Sequence, residues 1–249
     1  MIPTMKKCIA LLITLMLTFA SVSAMAWDAP FLVRNGDREK KQVAITIDDC
    51  FDMVYVRKAF ALTQQYNVPI TFFILGINLE EQDAELWQAI AASQNELGNH
   101  TFGHRNLTAL DNMGIYNQVM RAQSCLDAIL GYHYPMQVFR PPYGAMNRDG
   151  KKHVNSMIQA LGFNHAILWD VSQIDFDQCR YAVQNGSILL FHTNEPDVNC
   201  IEQLIPWLQE EGYELVTVSQ MMGMEPVATS TDLYEFVTYG DWQKARGVH

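Results

Sequence analysis

The sequence predicts an α/β fold with a parallel sheet that curls into a barrel or a distorted barrel, as a single domain. Runs of β-branched and aromatic residues alternate along the chain with helix-patterned segments of ten or more residues. Connections of that length allow crossovers between parallel strands. The chain has 249 residues and no Pro/Gly/Ser-rich linker after its N-terminal segment, which favours one barrel over two domains.

Each predicted element has its own local signal. The run VPITFFIL has strand chemistry, and Leu86, Trp87 and Ile90 have helical spacing. Glycines at 131, 162 and 212 follow helical patterns and indicate their ends. The predicted strands cover residues 42–47, 68–75, 97–99, 137–139, 163–169, 187–191 and 213–218, and the predicted helices cover 54–66, 83–95, 114–130, 151–161 and 198–211.

The N-terminal segment has the pattern of a signal peptide. Lys6 and Lys7 precede an uncharged stretch over residues 8–26, and this stretch ends in the small-x-small pattern Ala24-Met25-Ala26. We therefore expect a signal peptide over 1–26, one folded domain over 27–223 and a C-terminal tail over 224–249. We expect the protein to be secreted or located in the cell envelope. The alternative is an uncleaved anchor, in which case this segment alone contacts the membrane.

Composition excludes some partners. The chain is 49% hydrophobic, which excludes a disordered protein. There are 17 basic and 27 acidic residues, a net charge of −10, which argues against a nucleic-acid partner. We expect a monomer. Export leaves four cysteines, an even number in an oxidising compartment, whose three possible pairings the sequence leaves open: Cys50, Cys125, Cys179 and Cys200.

Polar side chains follow five of the predicted strands. In parallel α/β folds functional groups collect where strands end, so we expect these groups to meet at one mouth. The residues at the five strand ends are Asp48 and Asp49, His100 and His104, Arg140 and Tyr143, Asp170 and Asp175, and His192.

The spacing His100-x-x-x-His104 is the sharpest single feature. If the segment makes a helical turn, both imidazoles face one side and can share a divalent ion. Two histidines and one carboxylate form a common open zinc or iron site. Asp48 and Asp49 could divide the remaining work, one as a ligand and the other as a general base. The alternatives are unrelated surface histidines, a solvated aspartate pair and, for His192, a histidine satisfied within the core.

Five motifs in order resemble the polysaccharide deacetylases of carbohydrate esterase family 4, the NodB homology domain. The resemblance spans roughly residues 43–218 and implies a distorted (β/α) barrel of seven or eight strands, so that residues 27–223 would form the catalytic domain. The motifs are Thr46-Ile47-Asp48-Asp49, His100-Thr101-Phe102-Gly103-His104, Arg140-Pro141-Pro142-Tyr143-Gly144, Trp169 to Phe176, and Leu190-Phe191-His192.

The resemblance also implies roles for individual residues. Asp48 would be the catalytic base, His192 the catalytic acid, and Arg140 the residue that holds the base. Asp49, His100 and His104 would bind a divalent metal, with Zn²⁺ expected first and Co²⁺, Ni²⁺ or Fe²⁺ as alternatives. Asp175 would tune His192, Tyr143 would give a backbone N–H to the oxyanion site, Leu190 would line the acyl pocket, and Phe176 would contribute an aromatic wall to the substrate groove.

The chain departs from the family pattern at several positions. Cys50 replaces the usual glycine and Phe51 the usual proline after the two aspartates. Since a cysteine reaches a positive φ less easily than a glycine, this loop is expected to differ in shape. A Cys50–Cys179 disulfide would be one way to anchor it. In the fourth motif, Ser172 stands in place of an aspartate and Phe176 in place of a tryptophan.

The resemblance implies an exported metal-dependent deacetylase acting on N-acetyl or O-acetyl groups of a glycan such as peptidoglycan, chitin-type oligomers or xylan. The first alternative is a catalytically silent glycan-binding relative, which would need neither Asp48 nor His192. The second is a glycoside hydrolase, which would need two carboxylates roughly 5–9.5 Å apart, whereas Asp48 and Asp49 are neighbours in the chain.

Overall fold

The computed structural model describes residues 31–146 and 153–247, so the predicted signal peptide over 1–26 lies outside the described residues. The strands are β1 (Leu32–Val33), β2 (Gln42–Asp49), β3 (Thr71–Ile74), β4 (Glu96–Asn99), β5 (Ala166–Ile167), β6 (Ser187–His192) and β7 (Glu214–Leu215). The helices are α1 (Met53–Tyr66), α2 (Ala84–Ala91), α3 (Asn112–Leu130), α4 (His153–Ala160), α5 (Phe176–Ala182), α6 (Glu195–Glu210), α7 (Val218–Met221) and α8 (Tyr239–Ala245).

The strand pairings are parallel and follow a curved path. β2 pairs with β3 on one side and β6 on the other, β3 pairs with β4, and β7 lies beside the start of β2. Beyond β4 the path continues through isolated bridges from Asn99 to Phe139 and from Phe139 to Ala166, and Val171 bridges to Leu189 on β6. The predicted α/β class with a parallel sheet is confirmed, and the distortion consists in single bridges replacing regular strands along one side.

The two faces of β2 explain how its end becomes a site. Val43, Ile45 and Ile47 lie in the core cluster formed with the helices α1 and α6, and the intervening Ala44 belongs to a separate cluster inside the curved sheet. Successive side chains of a strand point to opposite faces, so Asp48 shares the inner face with Ala44. Asp48, the first aspartate of the pair, therefore points to the interior of the curved sheet.

Element boundaries differ from the prediction where caps intervene. The predicted last strand over 213–218 is only β7, because Thr217 and Gln220 form a capping box that starts α7. α6 begins at Glu195, after the Asn194 cap, three residues before the predicted start. Among the strands and α-helices described, four were not predicted: the strand β1 and the helices α5, α7 and α8. Within the described part of the chain, no helix is long and apolar enough to span a membrane.

The segment after α7 packs back onto α3. The Tyr116 hydroxyl donates to the carbonyl oxygen of Val237, and its ring contacts those of Tyr239 and Trp242. The buried Asp127 carboxylate accepts from the Tyr234 backbone N–H. The predicted tail is thus structured over the residues described, although its sequence has no clear pattern.

Candidate active site

The strand register brings the candidate catalytic residues side by side. Asp48 on β2 lies directly opposite His192 on β6, and Asp49 lies opposite Ile74 on β3. The backbone N–H of His100, just after β4, donates to the Ile74 carbonyl oxygen at 3.0 Å. The carboxyl ends of three strands, β2, β4 and β6, therefore supply both aspartates and two histidines to one place.

Asp49, His100 and His104 form a compact cluster of three potential metal ligands. Asp49 Oδ1 lies 3.5 Å from His100 Nε2 and 3.5 Å from His104 Nε2, and one ligand atom from each of the three residues lies within 4.8 Å of the others. Asp48 Oδ2 is 3.6 Å from His100 Nε2, so the second carboxylate is beside the cluster. One aspartate and two imidazoles match the donor set of an open Zn²⁺ site.

Two features of this cluster fit a cation. Asp49 Oδ1 is buried and has no hydrogen-bond partner, an arrangement that costs free energy unless a further group satisfies the oxygen. His100 Nδ1 lies 2.8 Å from the Arg140 carbonyl oxygen, which can only accept, so Nδ1 carries the proton and the Nε2 lone pair faces the cluster. Burial also lowers the pKa of His100, although the charges of Asp48 and Asp49 oppose this change. The lowered pKa favours the neutral imidazole, which is the form that binds metals.

Strained backbone is concentrated in the loops that present these side chains. Among the described residues, six non-glycine residues have positive φ, and all but Asn67 lie at the site: Asp49 (66°), Cys50 (52°), Thr101 (75°), His104 (53°) and Tyr143 (60°). Such conformations cost energy and cluster at functional sites. The segment from His100 to His104 is not a helical turn; left-handed residues at 101 and 104 fold this loop and place the two rings 5.0 Å apart.

Arg140 is fully buried, and each of its three guanidinium nitrogens donates a hydrogen bond. Its Nη1 donates to Asp48 Oδ1 and to Thr46 Oγ1, each at 2.7 Å, while Nε and Nη2 donate to the carbonyl oxygens of Ile167 and Leu168. The guanidinium also lies over the Phe73 ring, 4.1 Å from its centroid. Arg140 is thus fixed in position and binds one oxygen of Asp48, as the sequence resemblance predicts.

The carboxylate beside His192 is Asp197 and not Asp175. Asp197 Oδ2 lies 3.4 Å from His192 Nδ1 and accepts from the His192 backbone N–H at 2.6 Å. This contact raises the pKa of His192, burial opposes the rise, and Asp48 and Asp49 add to it. Asp175, which the resemblance placed there, instead caps α5 by accepting from the Gln178 N–H. Asp197 was missed because the predicted helix starts after it.

Tyr143 and Leu190, two of the residues predicted to contact the substrate, lie at the site. Tyr143 is 66% exposed in a short 3₁₀ turn over Pro142–Gly144, and its ring makes an edge contact with that of His104 at 4.5 Å. Leu190 pairs with Thr46, is 8% exposed and shares the inner face of the sheet with His192 two residues later.

Phe176 is placed elsewhere. It begins α5, packs against the helix-facing core cluster, and contacts Trp207 edge-on at 6.4 Å. The aromatic residue of this motif that lies near the site is Trp169, whose ring faces the Arg140 guanidinium at 5.8 Å. Phe176, which was predicted to form a wall of the substrate groove, therefore packs in the core. Trp169 lies closer to the site.

The four described cysteines are free thiols in this structure: Cys50, Cys125, Cys179 and Cys200. Cys50 is buried beside Asp48 and Asp49, and burial, more than the charge of those carboxylates, raises its thiol pKa well above the usual value. The Cys50–Cys179 bond that would anchor this loop is thus not formed among the described residues.

Comparison with known proteins agrees with this geometry. The family model described as "Polysaccharide deacetylase" matches residues 35–163. A peptidoglycan-N-acetylglucosamine deacetylase of Bacillus cereus is 29% identical over 202 residues, covering 75% of this chain and 70% of that protein. The peptidoglycan-N-acetylmuramic acid deacetylase PdaC of Bacillus subtilis is 28% identical, covering 74% of this chain and 39% of that protein. Several of the relatives are thus much longer than the matched region.

Solved structures give the same fold. A carbohydrate esterase family 4 pseudoenzyme from Bacillus anthracis superposes with a TM-score of 0.70 at 21% identity, covering 81% of this chain and 72% of its own. A peptidoglycan N-acetylglucosamine deacetylase solved with a hydroxamate ligand superposes with a TM-score of 0.68 at 26% identity, covering 78% of this chain and 94% of its own.

Proposed function

Since the chain belongs to the polysaccharide deacetylase family, we propose that it is a metal-dependent hydrolase that removes acetyl groups from a glycan. The observation that supports this most strongly is the unpartnered, buried Asp49 Oδ1 facing His100 Nε2 and His104 Nε2 at 3.5 Å, with Asp48 beside them. A buried carboxylate oxygen with no donor, next to two imidazoles, is the arrangement of a cation site.

Asp49, His100 and His104 would hold the ion, for which Zn²⁺ is the first choice. A bound divalent ion would polarise the acetyl carbonyl and make water a better nucleophile near neutral pH. The Arg140 carbonyl oxygen accepts a hydrogen bond from His100 Nδ1 and so fixes the tautomer. In this tautomer the lone pair of Nε2 faces the proposed ion site.

Asp48 is the proposed general base. Arg140 holds its Oδ1 at 2.7 Å, which leaves Oδ2 to take a proton from the attacking water. The Arg140 guanidinium is itself fixed by Thr46 and two backbone carbonyl oxygens, so the carboxylate cannot turn away. This division gives the two adjacent aspartates different tasks, one as a ligand and the other as a base.

His192 is the proposed general acid. It stands opposite Asp48 across β2 and β6, so a substrate between them would meet the base on one side and the acid on the other. Because Asp197 raises the pKa of His192, more of the imidazole is protonated near neutral pH, and it can donate to the leaving nitrogen or oxygen. The Tyr143 N–H is proposed to stabilise the oxyanion, and Leu190 to contact the acetyl group.

The names of the relatives suggest the substrate. The matched proteins from B. cereus and B. subtilis are named as deacetylases of the N-acetylglucosamine and N-acetylmuramic acid residues of peptidoglycan. We propose N-acetylglucosamine in peptidoglycan as the first substrate to test, with action in the cell envelope or outside the cell.

The experiment is a substrate panel. Zinc-loaded protein is incubated with peptidoglycan fragments, chitin oligomers and acetylated xylan, and mass spectrometry follows the loss of acetyl groups. The Asp48→Asn variant, which keeps the three proposed ligands, is the matched control and is expected to be inactive. If the wild type binds these glycans and metal but deacetylates none, the silent glycan-binding alternative replaces the proposal.

A further inference from the structure

A short turn lies between the two loops that carry the three proposed metal ligands. Asp49 ends β2, and both histidines lie in the loop over residues 100–104 that follows β4, so two separate strands supply the ligands. β3 runs between those strands, and its last residue, Ile74, pairs with Asp49 on one side and with Asn99 on the other. The 3₁₀ turn over Gly76–Asn78, which follows β3, is therefore next to both loops.

This turn is hydrogen-bonded to both loops. On the histidine side, the Gly76 N–H donates to the Thr101 carbonyl oxygen at 3.0 Å, and the next N–H of the turn donates to the next carbonyl oxygen of the loop at 2.9 Å. On the aspartate side, the side-chain amide of Asn78 donates through Nδ2 to the Asp49 carbonyl oxygen at 2.9 Å. Two backbone bonds and one side-chain bond thus connect the loops through the turn.

From these bonds we infer that Asn78 is a positioning residue for the metal site, an inference that rests on the proposed function. The amide binds the backbone of Asp49, so it acts on the ion through the direction in which Asp49 holds its carboxylate. Outer groups that orient metal ligands change metal affinity by roughly 10–100-fold when they are removed. Asn78 is expected to belong to this class.

The backbone angles at the two ends of this connection show why it matters. Asp49 has a φ of 66° and Thr101 a φ of 75°, conformations that residues other than glycine seldom adopt and that persist only where surrounding contacts hold them. The turn binds the carbonyl oxygen of each of these two residues. Without the Asn78 bond, Asp49 is freer to relax, which would move Oδ1 from its place 3.5 Å from both imidazole nitrogens.

The turn is itself held closely by its surroundings, so it can fix the position of Asp49. A Cβ at Gly76 would lie 2.9 Å from Ala122 Cα on α3 and 3.0 Å from the Phe102 ring, closer than ordinary contact. Gln118, also on α3, accepts from the Gly103 N–H at 3.0 Å. The helix α3 therefore supports both the turn and the histidine loop, and the Asn78 amide connects this supported unit to Asp49.

The test compares zinc affinities by equilibrium dialysis of the full-length protein. Asn78→Leu keeps the size of the side chain and removes the amide, and it should lower zinc affinity about tenfold. Asn78→Ala also lacks the donor and should show the same loss, whereas Asn78→Gln keeps an amide donor and should lose less. Asn185→Leu is the matched control, because Asn185 is also partly buried and its Nδ2 donates to the Arg38 carbonyl oxygen at 3.2 Å, at the opposite ends of the strands. It should bind zinc as the wild type does.

Two further measurements separate positioning from a general loss of structure. With Co²⁺ in place of zinc, Asn78→Leu should change the visible absorption bands, which depend on the ligand geometry, and Asn185→Leu should not. Urea unfolding of the metal-free proteins should give similar small losses for both leucine variants, since each removes one partly buried hydrogen bond. A much larger loss in Asn78→Leu would indicate a structural role instead.

The outcomes that overturn the inference differ from those that refute the proposed function. Equal zinc affinity in Asn78→Leu and the wild type would overturn the inference, and so would equal losses in Asn78→Leu and Asn78→Gln. A wild type that binds zinc but deacetylates no substrate would refute the proposed function and leave the role of Asn78 intact. A wild type that binds no zinc would overturn both.

Discussion

His192 and Asp197 are joined by two contacts to a single oxygen. Asp197 Oδ2 accepts from the His192 backbone N–H at 2.6 Å and lies 3.4 Å from His192 Nδ1. Because Nδ1 faces this carboxylate, Nε2 is left to deliver a proton. The contact also raises the pKa of His192, so the acid stays protonated to higher pH than an ordinary histidine would.

Replacing Asp197 should therefore change the pH dependence of the reaction. In Asp197→Asn the negative charge is lost, the pKa of His192 falls, and the alkaline limb of kcat/KM moves to lower pH, since a general acid acts only while protonated. Asp177→Asn is the control, because Asp177 pairs with Arg180 on the exposed side of α5. An unchanged alkaline limb in Asp197→Asn would refute the assignment of His192 as the acid tuned by Asp197.

Removing Arg140 should destabilise the fold as well as the site. Arg140→Met leaves the buried Asp48 carboxylate without its guanidinium, and breaking a buried ion pair in this way costs about 3–5 kcal/mol in the free energy of unfolding. Arg180→Met removes an exposed pair and should cost less than about 1 kcal/mol. Urea unfolding of both variants provides the measurement, and similar small losses would contradict the structural role given to Arg140.

Cys50 should tolerate glycine better than alanine. Its φ of 52° lies in the left-handed region, which costs an L-residue roughly 1–2 kcal/mol and a glycine almost nothing. The Cys50→Gly variant should therefore have a free energy of unfolding about 1 kcal/mol above that of Cys50→Ala. Ala61→Gly, at an exposed position of α1, is the control for the ordinary order and should lose about 1 kcal/mol. A Cys50→Gly variant less stable than Cys50→Ala would show that this loop relaxes.

The sequence was sufficient for the residues that meet at the ends of regular strands. Asp48, Asp49 and His192 follow β-branched or apolar runs, and parallel strands bring such ends to one edge of the sheet. The order of the motifs also identified Arg140. Its contact with Asp48 follows because both residues lie at strand ends on the same edge of the sheet.

The remaining errors have local causes. The loop from His100 to His104 brings the two imidazoles together through left-handed residues and not through a helical turn, and left-handed residues have no reliable sequence signal when they are not glycine. Asp197 was missed because Asn194 and Pro196 start α6 before its apolar pattern begins. The helix α5 was missed because its seven residues are too few to show a period.

The most direct test of the central claim is metal binding by Asp49, His100 and His104. Zinc content is measured after equilibrium dialysis for the wild type, for Asp49→Ala, and for His133→Ala, whose imidazole pairs with Asp127 away from the site. We predict one zinc ion per chain in the wild type and in His133→Ala, and a loss of at least tenfold in affinity in Asp49→Ala. Equal zinc affinity in Asp49→Ala and the wild type would contradict the account.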